Sequence, residues 1–119
     1  MSQFKLAAKA TYTWPVTVAL ATDDGKFKDH TILALFARKT RAEVKALQEK
    51  FEQDGDEAAM LRALVAGWVS QDLVLDATDQ PAAYSPEALE YMLDTPGAGV
   101  ALMNAYNESF NGGLRRKNS

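Results

Sequence analysis

Thr11-Tyr12-Thr13-Trp14-Pro15-Val16-Thr17-Val18-Ala19-Leu20-Ala21 is the stretch on which the reading of the fold turns. Tyr12, Trp14, Val16, Val18 and Leu20 occupy every second position, and Thr11, Thr13, Pro15, Thr17 and Ala19 take the others. A period of two places the sets on opposite faces of a half-buried strand. Threonine, valine and aromatic side chains suit that pleated surface. Pro15 has no N–H to give to a ladder, so the strand is expected at a sheet edge or bulged there. Asp23-Asp24-Gly25-Lys26 follows as a turn, its Asp-Gly tolerating positive φ. Phe27 to Ala37 reads as the return strand, with Thr31, Leu33 and Leu35 on one side and His30, Ile32 and Phe36 on the other. A bare hairpin is marginal in water, so a third strand or the helices must cover its apolar face. Phe4 to Ala8 reads as a short leading strand.

At Thr40 the apolar period changes from two to between three and four. Thr40-Arg41-Ala42-Glu43 is a capping box, threonine closing a helix N-terminus and glutamate reaching back. That helix is expected to run to about Glu52, with Val44, Leu47 and Phe51 on one stripe, and to break at Asp54-Gly55-Asp56. A second helix is expected from about Glu57 to Val69, carrying Met60, Leu61, Leu64, Val65 and Trp68 as its core-facing stripe. Gly67 within it would admit a neighbouring element or weaken the helix end. Asp72 to Tyr84 reads as a loop in which Leu73, Val74 and Leu75 anchor an extended piece. Ser85-Pro86-Glu87 starts a short helix bearing Leu89, Met92 and Leu93. A last helix, about Ala98 to Phe110, carries Val100, Met103, Tyr106 and Phe110 and stops at Asn111-Gly112-Gly113. The fold class is therefore α+β: an N-terminal β-hairpin or small antiparallel sheet followed by a four-helix C-terminal part. The chain reads as a single domain over 1–119, with a strand-rich part at 1–39, a helical part at 40–111 and a basic flexible tail at 112–119.

The chain has 119 residues, 47% of them hydrophobic and 24% charged, the composition of an ordinary globular domain. It has no cysteine, which removes disulfides, cysteine–zinc sites and thiol catalysis together. Ser2 to Thr13 lacks the apolar run of a signal peptide, and no stretch approaches the roughly 20 apolar residues of a membrane span. A cytoplasmic protein with no membrane partner is expected. Residues 1–41 hold seven basic and three acidic side chains; residues 42–114 hold three basic and thirteen acidic. An acidic helical body is a poor surface for nucleic acid, whereas regions of opposite sign suit protein contacts, self-association into a homo-oligomer included.

No catalytic, cofactor-binding or metal-ligating set emerges. His30, the only histidine, lies beside Asp29, but no nucleophile motif accompanies the pair, and it reads as a polar strand residue. Asp23, Asp24 and Asp29 lack the spacing of a calcium loop. Asp54, Asp56 and Glu57 sit where negative charge stabilises a helix N-terminus. Gly97-Ala98-Gly99 lacks the strand–loop–helix setting of a phosphate site and reads as a helix connection. Trp14 and Trp68 read as core anchors; an exposed Trp14 would instead mark a partner surface. Arg115, Arg116 and Lys117 read as a solubilising tail.

The order of these features resembles the tail assembly chaperones of long-tailed bacteriophages and prophages. The resemblance is carried by Phe4-Lys5-Leu6 leading into Tyr12-Thr13-Trp14-Pro15-Val16, by the strand from His30-Thr31 to Phe36, and by Leu64-Val65-Ala66-Gly67-Trp68. It continues in Tyr84-Ser85-Pro86-Glu87-Ala88-Leu89, Leu93-Asp94-Thr95-Pro96-Gly97 and Ala105-Tyr106-Asn107-Glu108 before the basic tail. Such proteins often carry a glycine-bearing acidic turn after the Gly-Trp pair; here Leu75 to Pro81 has none. The resemblance implies a non-enzymatic viral assembly factor in the bacterial host cytoplasm, needing no cofactor and no small-molecule substrate. It would bind the tape-measure protein by helix-in-groove contact, with Met60, Met92 and Met103 as adaptable apolar groups, and would give way to the tail-tube protein. The alternative is a minor structural subunit of a phage tail or head–tail joint.

Overall fold

The computed structural model describes residues 7–118, and side chains through residue 112. Strand β1 (Thr11–Ala21) and strand β2 (Phe27–Ala37) form the expected antiparallel hairpin, in unbroken register from Thr11 opposite Ala37 to Ala21 opposite Phe27. The turn closes through Thr22 N–H to the Lys26 carbonyl at 2.8 Å, with Gly25 at φ 78°. Val16 and Val18 are buried with Tyr12, Trp14 and Leu20 partly so, while Thr13, Pro15, Thr17 and Ala19 are exposed. On β2 the core takes Ile32, Ala34 and Phe36, and leaves Leu33 and Leu35 half-buried on the opposite face. Phe4 to Leu6 lie outside the described residues; Ala7 and Ala8 form a bend.

The capping box forms as expected at helix α1 (Arg41–Asp54). The Glu43 amide donates to Thr40 Oγ1 at 3.2 Å, and Glu43 Oε1 accepts from the Thr40 amide at 2.9 Å. Gly55 ends that helix in the left-handed region, φ 65°, where glycine has no Cβ to clash. Asp56 caps helix α2 (Glu57–Leu64).

Here the structure departs from the expected helix to Val69. Helix α2 stops at Leu64, and Val65–Gln71 is strand β3, which pairs antiparallel with β2 and completes a sheet of order β1-β2-β3. Two register shifts give this strand its helix-like spacing. Leu33 faces Ser70 and Ala34 faces Trp68, skipping Val69; Leu35 faces Gly67 and Phe36 faces Val65, skipping Ala66. Each bulge inserts one residue into the period of two, so Val65, Trp68 and Gln71 are buried at a spacing of three, which imitates a helical stripe. β-branched Val65 and Val69, with Gly67 and Trp68, favour strand over helix once β2 offers an edge.

Helix α3 (Pro86–Leu93) starts as expected, Ser85 Oγ accepting from the Ala88 amide at 3.0 Å with Pro86 in its first turn. Helix α4 (Ala98–Asn118) continues through Gly112 and Gly113 rather than stopping at Asn111. Glycine inside a helix costs about 1 kcal/mol, which does not of itself end one. Nor is its ridge the expected one. Ala98, Leu102 and Tyr106 are buried, while Val100 is 58% exposed. Ala98 is buried and a Cβ on Gly99 would lie 2.6 Å from Glu57 Oε1, so this end of the helix lies close to α2 while Val100 faces outward. One apolar cluster joins the inner face of the sheet to α2, α3, α4 and Val44 of α1.

Candidate functional site

β1 lies at a sheet edge, as Pro15 requires. Which of its backbone groups face outward follows from the hydrogen bonds at the two ends of the hairpin. The Thr22 amide donates to Lys26 and the Arg38 amide to the Ala10 carbonyl, both at 2.8 Å. Antiparallel pairs alternate between bonded and unbonded, and the register between those ends is unbroken. Even-numbered residues of β1 therefore address β2. Thr11, Thr13, Pro15, Thr17, Ala19 and Ala21 turn five N–H groups and six carbonyls to the free edge. No described residue bonds to them.

Alongside this edge, β1 and α4 enclose a groove of about 710 Å³. Trp14, Pro15, Val16 and Thr17 form one wall; Gly97, Val100, Ala101, Asn104, Ala105 and Glu108 form the other. Trp14 is half-buried and packs against the core cluster from its margin. It also borders a second cavity of about 390 Å³, lined by Tyr12, Arg38, Lys39, Tyr106, Ser109 and Phe110. In that cavity the Arg38 guanidinium lies 4.7 Å from the Tyr12 ring centroid, and Arg38 Nε donates to the Lys9 carbonyl at 3.0 Å. Tyr12 and Ser109 hydroxyls are 2.7 Å apart. The Tyr106 hydroxyl is buried with no partner among the described residues, and burial pushes its pKa up to about 12.

The opposite edge of the sheet is occupied differently. Trp68, buried as expected, donates Nε1 to the Ala82 carbonyl at 3.1 Å and meets Tyr84 edge-on at 5.1 Å. Gly67 lies within β3 and not at a helix end; a Cβ there would meet the Tyr84 ring at 3.6 Å, ordinary van der Waals contact. Gln71 holds this segment from within. Its Oε1 accepts from the Leu73 and Val74 amides, and its Nε2 donates to the Val74 and Ala82 carbonyls, at 2.7–3.0 Å. Further out, Asp79 adopts φ 61°, supplying the left-handed position for which the sequence offers no glycine. Asp76 accepts from Thr78 and Gln80, and these bonds hold its carboxyl below its usual pKa.

The other singled-out residues have local tasks. His30 meets Asp72 and not Asp29, with Nδ1 3.2 Å from the Asp72 carbonyl and 3.5 Å from its carboxylate. Asp24 accepts from Thr22 and Lys26 inside the hairpin turn. Asp54 accepts from the Asp56 amide, and Asp56 from Ala59. Gly97, at φ 88°, turns the chain between α3 and α4. Arg115 to Lys117 lie on α4, and their side chains lie outside the described ones. The pattern did not reveal the two-pronged pair in which Arg62 Nε and Nη2 donate to Glu90 at 2.6 and 2.7 Å, because its partners are 28 residues apart. No described helix is long and apolar enough to cross a membrane.

The chain matches no family model, no curated protein and no solved structure.

Proposed function

We propose that this protein is a tail assembly chaperone of a long-tailed phage or prophage. It binds the tape-measure protein in the bacterial host cytoplasm, keeps that chain from aggregating, and releases it as the tail-tube protein polymerises. It acts by covering surface and not by catalysis. The observation that supports this reading is the β1–α4 groove, a concave and mostly apolar strip in which an uncharged strand edge, Trp14 and the outward Val100 meet, with Asn104 and Glu108 also lining it. Exposed apolar strips of this kind are partner surfaces more often than ornaments of a monomer. His30, the residue nearest to a catalytic candidate, is engaged with the loop at Asp72.

Coexpression with the neighbouring tape-measure protein tests this. A soluble complex is expected, weakened by Val100→Glu. A tape-measure protein that is equally soluble alone and never copurifies overturns the reading. Mass spectrometry of mature particles separates the chaperone, absent from them, from a minor structural subunit, present in fixed number.

A further inference from the structure

We infer that helix α1 is a latch that lifts off the body as one unit while the sheet and the other helices stay folded. Its anchorage is slight for its length. Of its 14 residues Val44 alone is buried; Leu47 and Phe51 are half-buried at the margin of the core cluster, and the other eleven are exposed. Helix α2, with eight residues, buries Met60, Leu61 and Leu64, and α3, equally short, buries Leu89 and Met92. Tertiary burial supplies most of the stability of a helix in a protein, so α1 is held less firmly than either. Its principal neighbour is α2, and the seam between them is imperfect. A cavity of about 100 Å³ remains there, whose walls combine Leu47, Phe51 and Met60 with the charged Lys50, Asp54 and Asp56.

Charge at this seam favours release. Asp54 ends the last turn of α1, where the helix dipole favours cations and no basic residue stands; Asp56 and Glu57 follow at once at the start of α2. The topology then lets α1 leave without taking the rest with it. Its joints are Thr40, in extended backbone, and Gly55, at φ 65°. The chain beyond each joint is held elsewhere, because Phe36 of β2 pairs with Val65, the residue that follows α2. Residues 38–56 are therefore a loop closed at its base by the sheet, whether or not α1 is seated on α2. Release uncovers the Val44, Leu47 and Phe51 stripe together with the Met60 side of α2, so this apolar surface is stored closed and exposed in one step. No α1 residue is among the described residues lining the β1–α4 groove, and the latch stands whether or not a tape-measure complex forms.

Residue-resolved amide exchange on the full chain, in rising urea below the unfolding transition, tests this. The amides of Ala46, Gln48 and Phe51 should share one opening, at least about tenfold more frequent than that of Val16 and Val18, which address β2. Their exchange should steepen with urea along a common slope smaller than that of the sheet. Ile32→Val, a buried change in the middle of the hairpin, separates the latch from global unfolding. It should speed exchange at Val16 and Val18 by about two- to tenfold and leave the α1 amides unchanged, because the released state keeps the sheet. Equal acceleration of both sets, or equal protection in the native chain, overturns the inference. So does exchange in α1 that ignores urea, which is fraying residue by residue and not release of a unit. The chain has no cysteine, so a single engineered thiol gives an independent reading. A thiol reagent should label Val44→Cys at least about tenfold faster than Val16→Cys under native conditions; equal rates overturn the latch.

Discussion

At the scale of single residues, Tyr106 is the clearest departure from a fully satisfied interior. Its ring meets Phe36 edge-on at 5.3 Å and stacks near Phe110 at 5.9 Å, yet its hydroxyl is buried with no described partner. Such a group costs about 1–3 kcal/mol. Tyr106→Phe keeps the packing and removes the cost, so thermal unfolding should move up by about 3–6 °C. A fall in Tm would show that the hydroxyl is satisfied. The pKa carries a second signature. Folded Tyr106 holds its proton up to about 12, against 10.0 for an ordinary tyrosine. Above pH 10 the unfolded chain ionises first, so stability falls through that window by an amount on the order of 2 kcal/mol. Urea titrations at pH 9 and 11 should show this loss in the native chain and less of it in Tyr106→Phe. The apolar spacing made Tyr106 legible as a core residue; its stranded hydroxyl was not, because satisfaction depends on atoms from other elements.

At the scale of elements, β3 and the loop after it depend on one amide. Gln71 is 5% exposed and makes four hydrogen bonds to the backbone of residues 73, 74 and 82. Gln71→Leu preserves volume while stranding buried amides and carbonyls, and should destabilise by about 3 kcal/mol. The loop should loosen before the sheet, so limited chymotrypsin digestion should cut first at Leu75 or Tyr84. Unchanged cleavage and an unchanged urea midpoint would remove Gln71 from this role. Nothing in the local pattern marked this glutamine, since its partners are defined only once Trp68 and Ala82 are side by side.

At the scale of the whole molecule, surface carboxylates set the acid limit. Glu43 is held below its usual pKa by bonds from Thr40, Asp76 by Thr78, Glu90 by Arg62 and Asp24 by Thr22. Each binds protons less readily folded than unfolded. Their contribution is therefore full above the ordinary carboxylate range and is lost as pH falls through it. All are solvent-exposed, so each is small and screened by salt. The urea midpoint should hold between pH 7 and about 5.5 and decline below about 4.5. A midpoint that rises on acidification would contradict the sign.

The hairpin, the edge position of β1, the capping box at Thr40 and the helix start at Ser85 could all be read from the chain alone, because each is written in residues close together in sequence. A period of two, a turn of Asp-Gly and a Thr-x-x-Glu box act over a few bonds and need no distant partner. β3 could not be read so, because its two bulges are answers to the edge of β2 and give a strand the spacing of a helix. The rotation of α4, which turns Val100 outward, likewise depends on packing of Ala98, Leu102 and Tyr106 into the shared core. The groove exists only because α4 packs beside an edge that Pro15 alone could announce. Local sequence determined that the edge is there, and tertiary packing decided that α4 lies beside it with Val100 turned outward.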